Sequence, residues 1–144
     1  MTLAEPTTSI YLALKAHLKT YTGLPFVAYP NDAFTPPTDV NGLADIYWIV
    51  SDMRFDVPRK YVDTGGADEN QGEFQVHIML PLRFNYEQEL QSSGLVIAHF
   101  PKDTRLTIGG VDVQITATPK TIGGSYRDGA YNRLPVMVRW LASV

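Results

Sequence analysis

The chain has no cysteine, which excludes disulfides, thiolate metal sites and cysteine nucleophiles. That absence leaves the redox compartment open, because secreted proteins can also lack the residue. Nowhere do 18 apolar residues run together, so no segment reads as a membrane span. Lysine and arginine number 12 against 15 acids and form no block; at a formal net charge of −3 the footprint of a protein that grips phosphate backbones is missing. The stretch MTLAEPTTSIYLALKAHLKTYTG carries Glu5 and further charges within its apolar part, unlike a signal peptide, and a cytoplasmic product is expected.

Chemical motifs are missing as well. His17, His77 and His99 follow neither HExxH nor an i, i+4 pairing that would set two imidazoles on one metal, so structural roles are expected for them. Asp63, Asp68 and Glu69 lack the spacing of a calcium loop and read as a solvated charge cluster. Ser92-Ser93-Gly94 lies inside a predicted helix, no GxSxG elbow exists, and the serines read as helix surface. The pairs Gly65-Gly66, Gly109-Gly110 and Gly123-Gly124 match neither GxGxxG nor GxxxxGK[ST]. No catalytic residue, metal or cofactor is expected.

What is present is a globular composition, 44% apolar and 19% charged over 144 residues. This is enough for one domain, 1–144, that buries roughly two thirds of its unfolded surface. Ile10, Leu14, Leu18 and Tyr21 recur at helical spacing between possible caps at Thr7 to Ser9 and a stop at Gly23, and a short strand follows at Phe26 to Tyr29. Pro30 to Gly42 reads as loop. Asp45 to Val57 alternates with Tyr47, Ile49, Met53, Phe55 and Val57 on one side. Its expected partner, Glu73 to Arg83, sets Phe74, Val76, Ile78, Leu80 and Leu82 against Glu73, Gln75, His77 and Arg83.

Between those strands, Pro58 to Gly72 is long and acidic and is expected to project as a mobile interaction loop. Asn85, with Gln88 in capping-box position, opens a second helix with Tyr86, Leu90 and Ile97 along one face; Phe100-Pro101 ends it. Gly94 weakens that helix by about 1 kcal/mol unless the face needs close backbone approach. LTIGGVDVQI is a hairpin about Gly109-Gly110. Thr118 to Tyr131 reads as a second flexible segment, with a short pairing strand around Ile122. Leu134, Val136, Val138 and Trp140 mark a last strand, whose Pro135 favours an edge or a strand start. Trp48 has the opposite parity from Tyr47, so Ile46, Trp48 and Val50 either form an apolar patch for a subunit contact or are covered within the monomer.

This order of a helix, a long two-stranded ribbon with a loop, a helix beginning FNYEQELQSSGLVIAHF, the hairpin and the closing strand LPVMVRWLASV resembles the tail terminator, or tail completion, proteins of long-tailed bacteriophages, a lambda-like family. The resemblance covers nearly all of the chain and rests on layout and strand texture. It implies an α+β fold with a mixed or antiparallel sheet, two helices packed mainly on one face and long interaction loops. It further implies a homo-hexameric ring in the virion, assembled in the host cytoplasm on the head-proximal end of the tail tube. Such a ring ends tube growth, presents a surface to the head connector and makes or breaks no bond. DNA passes its lumen without specific binding, and an acidic lumen suits that passage if the acids point inward. Candidate contacts, chosen by loop position, are Asp63, Asp68 and Glu69 in the first loop and Arg127 and Asp128 in the second, with Trp48 as the subunit-contact candidate. Two other functions fit the same absences: another head-tail joining protein, and a small-ligand binder or enzyme needing a concave pocket.

Overall fold

The computed structural model of the chain describes residues 6–21, 26–30, 32–51, 54–56, 69–108 and 110–143. Along them run α1 (Pro6–Lys19), β1 (Val27–Ala28), β2 (Tyr47–Val50), β3 (Arg54–Asp56), β4 (Glu69–Pro81) and α2 (Tyr86–His99). After these come β5 (Arg105–Ile108), β6 (Val111–Ile115), β7 (Lys120–Thr121), β8 (Tyr126–Asp128) and β9 (Tyr131–Ser143). The fold is α+β, built on one mixed, curled sheet. The antiparallel ribbon β4–β9, in register from Glu69↔Ser143 to Pro81↔Tyr131, is its spine. β2 and β3 flank β4, while β6, β7 and β8 flank successive stretches of β9; β1 joins β2 in parallel and β5 joins β6.

Strand alternation sets the core. Phe74, Val76, Ile78 and Leu80 of β4 and Leu134, Val136, Val138, Trp140 and Ala142 of β9 are buried on one face, where they join Ile10, Leu14 and Leu18 of α1 in a continuous apolar cluster. β2 departs from expectation. Because directly opposed residues share a face, Trp48↔Ile78 and Val50↔Val76 place Trp48 and Val50, not Tyr47 and Ile49, in this core. β2 is apolar on both sides, so its parity is decided by its partner. Trp48 is 1% exposed and stacks on Tyr21 at 5.0 Å, so it is covered within the subunit and offers no patch to another. Tyr47 lies on the opposite face, against Phe34 and Tyr131.

Several other expectations change in detail. α1 begins at Pro6, a residue whose missing N–H costs nothing in a first turn, so Thr7 to Ser9 are helical rather than capping. Gly23, Met53 and Val57 lie outside the described residues. The strand expected over 45–57 appears as β2 and β3, each pairing with β4. β4 starts at Glu69, which converts the end of the expected loop into strand, and stops at Pro81, leaving Leu82 exposed. The 118–131 segment contains the short pairing strand expected around Ile122, as β7, and a second one, β8, both paired with β9.

Pro135 sits inside the central strand, not at an edge. Its carbonyl accepts from the Ile122 amide at 3.0 Å. A residue in an antiparallel pair points its N–H and C=O to the same side, so the donor that proline lacks would have faced Ile122, where β7 ends and no ladder continues. The hairpin β5–β6 is as expected: Ile108↔Val111 leaves two residues for the turn, and Gly110 adopts φ +79°, which a side chain would strain.

α2 has the expected cap. Asn85 accepts from the Gln88 amide at 3.0 Å, and the Gln88 side chain accepts from the Asn85 amide at 2.9 Å. Its buried face differs from expectation: Glu89, Ser92, Ser93 and Val96 face inward and Ile97 packs against the core as expected, while Tyr86 and Leu90 are exposed. Short side chains let the helix sit close on the sheet, and the Ser93 hydroxyl is satisfied by the Leu90 carbonyl at 2.9 Å.

Candidate functional site

The ribbon separates the two groups of contact candidates. Glu69 pairs with Ser143 at one end of β4–β9 and Asp128 pairs through β8 with Tyr131 at the other, roughly 40 Å away along 13-residue strands. Asp63 and Asp68 lie outside the described residues. Arg127 and Asp128 stand in β8, with Arg127 Nε donating to the Gly129 carbonyl at 3.4 Å and Asp128 bound to Arg133 at 3.1 Å. Trp48, as shown above, is in the core.

The sheet face turned away from the helices carries a chain of polar side chains joined by hydrogen bonds that the sequence pattern does not show. Asp128 accepts from Arg133 Nη1; Arg133 Nε donates to His77 Nδ1 at 2.7 Å; His77 Nε2 donates to Gln75 Oε1 at 2.9 Å. Gln75 Nε2 then reaches Glu73 at 3.5 Å, and Glu73 lies 3.9 Å from Arg139. Receiving the Arg133 proton fixes His77 as the neutral Nε2–H tautomer. Burial, with the Arg133 charge second, holds its pKa down at about 4. These residues alternate along β4 and β9, so the hydrophilic parity seen in the sequence is a hydrogen-bonded stripe, with Tyr47, Met79 and Met137 buried on the same face.

Two exposed apolar patches remain. On α2, Tyr86 (67% exposed) and Leu90 (51%) stand one turn apart, with Glu87 exposed beside them. Glu89, between them in sequence, turns inward and is 8% exposed. The second patch is the β7–β8 arm, residues 120–130, exposed throughout. Opposite Met137, Pro135 and Arg133 respectively, Lys120, Ile122 and Tyr126 share the face turned away from the helices. Ile122 is 40% and Tyr126 50% exposed.

Comparison with known families decides the identity. The family model described as phage tail terminator protein matches residues 9–140. The chain belongs to the phage tail terminator family. A solved structure whose name carries no functional description is similar over 98% of this chain and 98% of its own, at 22% identity and a TM-score of 0.74, which shows a shared fold. No curated protein matches.

This tail terminator is therefore a phage tail structural protein, and its polar clusters have architectural explanations. His17 and His99, for which structural roles are expected, stack their rings at 4.5 Å. Each Nε2 donates to the other residue's backbone carbonyl, at 2.6 and 2.7 Å, so each imidazole bonds a carbonyl in the last turn of the other helix. Among the described residues no group of three or more His, Cys, Asp or Glu could hold a metal ion, and no helix is long and apolar enough to cross a membrane. The position of both histidines in the last turn of a helix was the available signal, since basic residues there bond terminal carbonyls.

Proposed function

We propose that this tail terminator acts as one domain over residues 1–144 and closes into a hexameric ring on the head-proximal end of the tail tube. The ring takes the place of the next tube ring, ends polymerisation at the set length and offers its free side to the head connector. Membership of the family over residues 9–140 is the observation that carries this reading. The architecture supports it. A plug between two different partners needs a stiff body with separate contact regions at its two ends, and the β4–β9 ribbon is such a body. In this reading Asp63, Asp68 and Glu69 serve one partner, while Arg127 and Asp128 serve the other.

The ring makes and breaks no bond; its mechanism is occupancy. Once the terminal tube surface is covered by subunits whose lateral contacts are satisfied by one another, no site is left for another tube subunit. DNA passes through the lumen, and the net charge of −3 per copy opposes tight binding to it. The test is tube polymerisation in vitro with and without purified terminator. Tubes that stop elongating and carry a ring at one end support the proposal, and continued elongation from both ends with the terminator present contradicts it.

A further inference from the structure

We propose that copies of this chain join head to tail, the β7–β8 arm of one docking on the Tyr86–Glu87–Leu90 flank of α2 in the next. The proposal rests on the ring reading above and names the surfaces that make the ring. The flank offers two exposed apolar side chains, Tyr86 and Leu90, with the exposed carboxylate of Glu87 beside them. Glu87 is the free negative charge of this patch.

The arm has the complementary character. Ile122 and Tyr126 supply apolar and aromatic surface, and Lys120, on the same face, makes no ion pair among the described residues. Asp128, the acid of the arm, is already held by Arg133, so the free charge of the patch is positive. Lys120 and Arg127 on the outer strands also oppose open-ended strand pairing, which favours docking through side chains.

Geometry selects a second copy as the occupant. The α2 flank lies on the helix-bearing face of the sheet, whereas Lys120, Ile122 and Tyr126 lie on the opposite face. Two different patches, complementary in charge and on opposite faces of one subunit, form a heterologous contact that repeats from copy to copy until it closes. An isologous dimer would instead require one patch to complement itself, and each patch here carries a single sign of free charge.

The experiment uses two variants of the full chain: a flank variant, Tyr86→Ser with Leu90→Ser, and an arm variant, Lys120→Glu with Tyr126→Ser. All four positions are exposed, and circular dichroism melts verify folding. Sedimentation velocity is read on the wild type, each variant alone and their equimolar mixture. The expected result is a wild type that forms closed oligomers and variants that are each monomeric alone, with the contact weakened about tenfold or more. Their mixture forms dimers and nothing larger, because one intact arm meets one intact flank and both remaining sites are dead.

Oligomers from either variant alone at the wild-type concentration would overturn the proposal while leaving the ring reading intact. Dimers from the flank variant alone would show an isologous arm contact and overturn it too. Variants that assemble normally but no longer bind tube ends would assign these surfaces to the tube protein instead. A wild type that stays monomeric at every concentration, alone and with tubes, would remove the ring reading itself.

Discussion

His17 and His99 cap each other's helices: the Nε2 atom of each lies within 2.7 Å of the other's main-chain carbonyl, and the two rings stack with 25° between their planes. The last turns of α1 and α2, separated by more than 80 residues, are thus joined through four groups. Thr20 completes the junction by donating its hydroxyl to the His17 carbonyl at 2.6 Å.

Replacing either histidine by alanine removes one of these bonds and half of the stack. Each substitution is expected to lower unfolding free energy by about 1 kcal/mol. The double variant should lose less than the sum, because the ring contact is broken by the first change. Urea denaturation of the four proteins in the cycle measures this; strict additivity would mean that the rings do not interact.

The stripe on the other face makes a pH prediction. His77 is neutral in the folded protein, with its pKa held at about 4, against 6.5 for the free side chain. His17 is shifted in the same direction, chiefly by burial and with the charge of His99 adding to it, while its bond to the His99 carbonyl opposes the shift. Below about pH 6.5 the unfolded chain takes up protons that the folded chain refuses, so stability present above that pH is lost as the pH falls toward 4. Thermal melts between those limits should show a declining midpoint. The His77→Gln variant should show a shallower decline, and a slope equal to that of the wild type would contradict the assignment.

How far the fold could be read from the chain depended on whether a segment had one possible apolar face. β4, β9, the capping box at Asn85 and the Gly110 turn were legible, because strict alternation or local hydrogen bonding left one solution. β2 was not, since Tyr47, Trp48, Ile49 and Val50 are apolar on both parities and only the register with β4 chooses between them. α2 misled for a related reason. Its most hydrophobic stripe, Tyr86 and Leu90, faces outward, and its inward face is made of serines that permit close packing. Pairings such as His17 with His99 and Arg133 with His77 join residues more than 50 positions apart, and a place in the last turn of a helix marks a histidine without naming its partner.

Trp48 provides a test of the corrected face. As a core residue, Trp48→Ala is expected to cost about 3–5 kcal/mol of subunit stability. As a contact residue it would leave the monomer's melt unchanged and reduce assembly alone. A denaturant midpoint shifted strongly in dilute monomer supports burial, and an unchanged midpoint contradicts it.

Gly94 is expected to be replaceable. A methyl group built at this position meets nothing within 4 Å in the subunit, and no close approach explains a glycine there. Gly94→Ala should raise stability by about 0.5–1 kcal/mol through helix propensity. A loss of monomer stability in thermal melts would show that the helix interior needs the glycine.

The central claim, that this tail terminator ends tube growth, is tested most directly by the tail lengths in lysates of the phage lacking the gene, measured by electron microscopy. The account predicts overlong tubes detached from full heads. Tails of normal length would contradict it: headless ones would move the protein to the joining step, and complete infectious particles would remove it from tail assembly.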